Sequence, residues 1–158
     1  MATAASDHRA GQGRVRGRCA AARDRRRGRR PAALRPPPVP PGVTSREVVE
    51  AALAALAQRD WERFAGLLAP EVVHRTPGVP APILGREAFV QLSREAVARA
   101  PDIAFVLSRV VAEGDLVAVE GEWRYTGAQG LTRQPSCSIV EVRDGRIVRD
   151  EEYLGLAY

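Results

Sequence analysis

A chain of 158 residues with 45% hydrophobic content has room for one globular domain and an appendage. Its net charge of +5 is unevenly placed: residues 1–42 carry eleven arginines against two acids, and residues 43–158 carry thirteen arginines against seventeen acids. The basic character belongs to the first segment, which excludes reading the whole protein as a nucleic-acid binder on charge, and no apolar run approaches the length of a membrane span.

Residues 1–42 combine Arg-Gly clusters with the proline run Pro36-Pro37-Pro38-Val39-Pro40-Pro41. High charge and few large apolar groups cannot offset the entropy of ordering such a chain, so a disordered tail is expected. Its role is open between three readings. It is an arm that neutralises phosphates, although it has no aromatic residue for base stacking. It is a mis-assigned start, translated from a GC-rich sequence, with Val43-Thr44-Ser45 opening the functional protein. Or it is an inert, solvated tail. The arginine pairs at 25–30 are followed by a proline-rich stretch and not by an apolar segment, so no export signal is expected. Cys19 and Cys137 fall one in the tail and one in the domain, which argues against a structural disulfide and for a reducing, cytoplasmic location.

Thr44-x-x-Glu47 has the form of a capping box ahead of an apolar helical pattern. Val48, Val49, Ala52, Leu53 and Leu56 recur at spacings of three and four, which predicts one apolar helix face. Asp60 is placed to cap a second, short helix whose Trp61, Phe64, Leu67 and Leu68 share a face, with Pro70 ending it. Glu71–Thr76 reads as a strand with Val72, His74 and Thr76 on one side, and the prolines and glycine that follow predict an irregular loop. A third helix is expected from Gly85 to about Ala100, with Phe89, Leu92, Ala96 and Val97 on its buried stripe. From Asp102 the period becomes two: strands 103–112 and 116–126 join at Glu113-Gly114-Asp115, and strands 132–142 and 146–154 join across Asp144-Gly145. Helices followed by a run of antiparallel strands indicate an α+β fold, a curved antiparallel sheet wrapped around three helices with an open mouth.

Four stretches in order, AALAALAQRDWERFAGLLAPEVVHRTPG, GREAFVQL, PDIAFVLSRVVAEGDLVAVEGEW and VRDGRIVRDEEYL, resemble the SnoaL-like branch of the nuclear-transport-factor-2-like superfamily. The resemblance covers residues 45–155 and implies a cone-shaped α+β barrel with a mostly apolar cavity. Polyketide cyclases, ketosteroid-isomerase-like enzymes, epoxide hydrolases and proteins of no known activity share that fold, so the fold does not deliver the reaction. The steroid-isomerase pattern is not met: its aspartate falls at Thr76, its oxyanion tyrosine at about Ala52 and its second acid at about Ser138. The Asp-Arg-Asp arrangement of the epoxide hydrolases is not evident either.

Alternation along 146–154 puts Val148, Asp150, Glu152 and Leu154 on one face and Arg149, Glu151 and Tyr153 on the other. The resemblance turns the first set toward the cavity, where carboxylates among apolar groups exchange protons with a bound substrate. The alternative is that Asp150 or Glu152 pairs with an arginine such as Arg75 or Arg124. His74 is the domain's one histidine, and an imidazole changes charge near neutrality, so His74, Asp150 and Glu152 form the catalytic candidates, with a cavity-lining or capped role as the bland reading of the histidine. Trp123 and Tyr125, on the face of Val117, Val119 and Gly121, read as pocket wall or as core, and Trp61 and Phe64 as core with some ligand contact. Thr76, Phe89, Ser138 and Leu154 complete the expected substrate contacts. Glu120, Glu122 and Arg124 lie on the opposite face, which in this superfamily often forms a homodimer interface.

Neither metal-ligand spacing nor a phosphate-binding glycine loop is present in the sequence, so no cofactor is expected. Two function classes stand. One is a cofactor-independent isomerase, cyclase or hydrolase acting on a small apolar molecule by acid–base chemistry. The other is a non-catalytic ligand-binding or dimerisation module of the same fold. Nucleic-acid binding rests only on the tail's charge.

Overall fold

The structure, a computed structural model, describes residues 42–158. The readings of residues 1–42 as a disordered tail or a mis-assigned start fall, apart from Gly42, outside the described residues.

Helix α1 spans Ser45–Gln58, opened by a complete capping box in which Thr44 and Glu47 exchange side-chain-to-backbone hydrogen bonds. It ends at Arg59, which sits at φ 60°. That left-handed conformation is costly for a residue with a Cβ. Two backbone bonds from its N–H to Ala55 and Leu56 offset the cost, together with guanidinium bonds to the carbonyls of Leu56 (3.2 Å) and Ile103 (2.5 Å). Helix α2, Trp61–Leu67, is capped by Asp60. It runs directly into strand β1, Leu68–Arg75. Pro70 therefore lies inside the strand rather than ending the helix, because the turn is already complete three residues earlier. Within the segment read as loop, Ile83–Leu84 forms a two-residue strand β2 against β1. Helix α3 covers Arg86–Arg99, and the Arg86 guanidinium donates twice to the carbonyl of Leu68.

The four long strands are β3 (Ala104–Glu113), β4 (Leu116–Gly127), β5 (Gly130–Arg143) and β6 (Arg146–Leu154). At the β5–β6 turn Asp144 and Gly145 both take positive φ, 49° and 68°, as a two-residue primed turn requires. The sheet order is β2-β1-β6-β5-β4-β3, open at both ends. It is mixed: β1 runs parallel to β6, and the other pairings are antiparallel. An α+β fold with three helices and a six-stranded sheet is thus what the described residues make, with one parallel junction that the expected all-antiparallel sheet lacked.

Register shifts at Leu107/Arg109, at Glu141/Val142 and at Leu68/Val73 bend the strands. The second of these corrects the alternation expected for 146–154. Ile147, paired with Val142, is buried and lines the interior, so it takes the inward place expected of Val148; beyond the shift, Asp150, Glu152 and Leu154 face inward as the period-two pattern requires.

The core lies between the concave sheet face and the helices. Val48, Val49, Ala52 and Ala55 of α1 cluster with Val117, Val119, Val140, Val142 and Ile147 of the sheet, joined by Phe64, Leu68, Val72 and Phe89. Phe64 meets Phe89 edge to face, with ring centroids 5.6 Å apart.

Candidate functional site

Above this core the helices and the sheet's inner face enclose a cavity of about 590 Å³. Its walls are largely aliphatic and aromatic: Leu53 and Leu56 from α1, Leu92 and Ala96 from α3, Val119 and Val140 from the sheet. Polar side chains enter it from β1, β5 and β6, and Arg59, Ser93, Arg99 and Thr126 also border it.

The first polar constellation is built by the parallel pairing of β1 with β6. That register makes His74 and Asp150 partners, and their side chains meet with Nδ1 3.1 Å from Oδ2. His74 is only 6% exposed, and its ring stacks on Phe89 at 4.4 Å with a 20° tilt. Its Nε2 lies 3.5 Å from the Thr76 hydroxyl, at the limit of a hydrogen bond. A carboxylate accepts, so Nδ1 is the nitrogen that donates to Asp150, and Nε2 is the one that faces Thr76. The second oxygen of Asp150, Oδ1, is buried and accepts no hydrogen bond from the described residues.

The second constellation surrounds Glu152. The Trp123 indole N–H donates to Oε1 at 2.6 Å, and the Ser136 hydroxyl donates to the same oxygen at 2.8 Å. Ser136 is buried, and no described residue donates to Oε2. Trp123 is itself set by packing, tilted against Phe105 at 4.9 Å. Phe105 fits because the strand beside it carries Gly121: a Cβ there would come within 2.5 Å of the Phe105 ring.

All the sequence-derived candidates border the cavity, in three different ways. His74, Thr76 and Asp150 form one group, and Glu152 joins Trp123 in another. Phe64 and Phe89 are core residues whose rings also reach the cavity, and Phe89 supports the imidazole. Trp61, Tyr125, Ser138 and Leu154 are lining only; Trp61 carries the Arg94 guanidinium 5.7 Å from its ring centre. The alternative that an arginine neutralises the cavity acids is corrected: among the described residues Asp150 meets His74, Arg124 pairs with Glu122, and Glu152 has neutral donors. Acids on the outer sheet face do have arginines. The hydrogen bond from Arg149 holds the Glu151 carboxyl below the usual range, and that from Arg124 does the same for Glu122.

Sequence reasoning passed over Ser136, Phe105 and Arg59. Ser136 shares an inward face with Ser138 by simple alternation, and Phe105 alternates inward with Trp123 as its cross-strand partner. Arg59 had no local signal, since its role comes from a bond to Ile103, 44 residues away. Among the described residues no group of three His, Cys, Asp or Glu side chains converges as a metal site requires. Among the described residues no helix is long and apolar enough to cross a membrane.

Residues 49–150 match the family model described as SnoaL-like domain. No curated protein matches the chain. Among solved structures, a candidate ketosteroid isomerase from Kribbella flavida is 27% identical, with a TM-score of 0.64 over 72% of this chain and 79% of that one. A LEH-like epoxide hydrolase from M. tuberculosis is 25% identical, with a TM-score of 0.60 over 70% and 82% of the two chains. IdmH, a candidate polyketide cyclase from Streptomyces antibioticus, is similar in fold, with 24% identity and a TM-score of 0.64 over 71% and 92%. With the family model covering most of the domain and the fold shared with these proteins, the chain belongs to the SnoaL-like domain family.

Proposed function

We propose that this protein binds a small, mostly apolar molecule in its cavity and moves a proton on it without a cofactor, with His74 as the proton carrier and Asp150 as the group that orients it. One observation carries the reading: the imidazole borders the cavity, fixed on one side by a carboxylate at 3.1 Å and on its face by Phe89, while Nε2 has only the Thr76 hydroxyl, at 3.5 Å. A base whose second nitrogen is held by a third group is the arrangement that general acid–base catalysis needs. The surrounding, largely apolar wall supports it by offering a surface for the carbon skeleton. Isomerisation and an aldol-type cyclisation begin with such a transfer from carbon, and hydration with one from the water that adds. Candidate isomerase and cyclase neighbours of the same fold are consistent with this class.

The test is solvent deuterium incorporation into a panel of enolisable polycyclic ketones, followed by NMR with binding measured in parallel. Wild type is expected to exchange the acidic C–H. His74→Gln is expected to lose exchange by about a hundredfold or more while still binding. Exchange by His74→Gln at the wild-type rate removes His74 from the mechanism. The second reading, a binding module without turnover, is favoured by Thr76, Ala52 and Ser138 standing where the steroid isomerases' functional groups align; tight binding with no exchange by wild type selects it. A homodimer through the outer sheet face belongs to the same proposal, as does a reducing cytoplasmic setting, which suits the free thiol of Cys137.

A further inference from the structure

Glu152 sits in the cavity wall without the imidazole contact that Asp150 has, and its own partners say what it is for. Both neutral donors within reach, the Trp123 indole and the Ser136 hydroxyl, converge on Oε1. Oε1 is thereby locked from two strands, and the carboxylate cannot turn to give that oxygen to a ligand. Oε2 receives nothing from the described residues, and no arginine among them pairs with Glu152. A carboxylate has four lone-pair sites and no donor, so Oε2, which is not among the buried unpartnered atoms, is left open to the cavity and accepts from whatever fills it.

We infer that Glu152 is the specificity-determining residue of the cavity, an acceptor-only pole that selects ligands bearing a hydrogen-bond donor, either a hydroxyl or a protonated amine, on an apolar body. The inference rests on the reading of the cavity as a ligand pocket and adds to it the chemistry of the ligand. Glu152 stands two residues along β6 from Asp150, the partner of His74. Two residues of strand span about 7 Å, so the donor on the ligand lies about that far from the position that meets the imidazole. Trp123 and Ser136 are positioning residues for the pole: they hold its geometry by occupying Oε1.

The lock makes an inverted variant available. In Glu152→Gln the side chain has one oxygen, and Trp123 and Ser136 hold it as they hold Oε1. The amide NH₂ then replaces Oε2, and the pole changes from acceptor to donor with no change in size.

Four pyrene derivatives serve as fluorescent probes: 1-pyrenemethanol, 1-pyrenemethylamine as its ammonium ion, 1-(methoxymethyl)pyrene and 1-pyrenecarboxylate. Each is titrated into wild type, Glu152→Gln and Ser136→Ala. Wild type is expected to bind the alcohol and the ammonium about tenfold or more tighter than the ether, and to reject the carboxylate. The ratio between alcohol and ammonium tells which donor the site takes. Glu152→Gln is expected to reverse the order, with ether and carboxylate ahead of the ammonium. Ser136→Ala, which loosens the lock but leaves the acceptor, is expected to keep the order with a smaller ratio; it answers the same question should Glu152→Gln fail to fold. If wild type binds the ether as tightly as the alcohol and the ammonium, the pole is overturned while the apolar pocket stands. If wild type binds none of the four, both the pocket and the inference are lost.

Discussion

In the proposed proton transfer Asp150 is the orienting residue, because its Oδ2 meets Nδ1 of His74 at 3.1 Å. Asp150→Asn keeps the size and one acceptor oxygen, yet removes the negative charge that stabilises an imidazolium as it forms. Deuterium exchange by Asp150→Asn is therefore expected to fall by about a hundredfold with ligand affinity little changed. A fall in affinity with the exchange rate of the bound complex intact makes Asp150 a binding group instead. Glu152 predicts the opposite pattern, since its partners bind rather than orient a base: Trp123→Phe removes one donor from Oε1 and acts on ligand selection before it acts on rate.

Elements set where these residues meet, and the β3–β4 pair does so through Gly121. A Cβ at 121 comes within 2.5 Å both of the Phe105 ring and of the Val106 carbonyl oxygen. Gly121→Ala is expected to cost about 1–3 kcal/mol in urea denaturation. Adding Phe105→Leu recovers only part of it, because the backbone oxygen remains; full recovery would show that the ring alone sets the constraint. Farther along the same strand, Asp102 accepts from the Thr126 amide at 3.0 and 3.2 Å and from its hydroxyl at 2.6 Å, tying the loop after α3 to the end of β4. The Thr126 hydroxyl and amide hold the Asp102 carboxyl below its ordinary range. Its folded-state pKa is thus below the unfolded one, so the stabilisation is present above about pH 4 and is lost as the pH falls through the lower, folded value. As the pH is lowered below about 4 the melting temperature of wild type should fall more steeply than that of Asp102→Asn. Parallel slopes remove this linkage. How much of this was legible in the chain follows the range of the interactions. Capping boxes, helix faces and hairpins are local, and Thr44, Val49, Trp123 and Gly145 announce them within a few residues. His74 and Asp150 stand 76 residues apart, and only the parallel β1–β6 register brings them together, which no period within either strand encodes. Ile147 displaces Val148 for a related reason: the register shift depends on the partner strand.

On the scale of the molecule, the concave face is spoken for by the core and the cavity, and the convex face is left to account for. Successive registers place Val111, Ala118 and Ile139 in one row across β3, β4 and β5, with Arg109, Glu120, Cys137 and Tyr153 in the next. Val111, Ile139 and Tyr153 are 56%, 40% and 46% exposed, more open apolar side chain than an isolated sheet face needs. The Arg109–Glu120 and Arg149–Glu151 pairs border them, alternating in sign, which suits a two-fold contact where each row meets its own copy reversed. Ile139 is the substitution to make: its side chain points away from the cavity while its neighbours Ser138 and Val140 point into it. Ile139→Asp is expected to turn a dimer into a monomer in sedimentation, weakening association by about a hundredfold or more by burying a charge in the interface. The pyrene affinities of the monomer should stay at wild-type values, because Ile139 is not among the residues lining the cavity. A wild-type protein that sediments as a monomer at micromolar concentration ends the proposal of this interface; a dimer that survives Ile139→Asp moves it to another face.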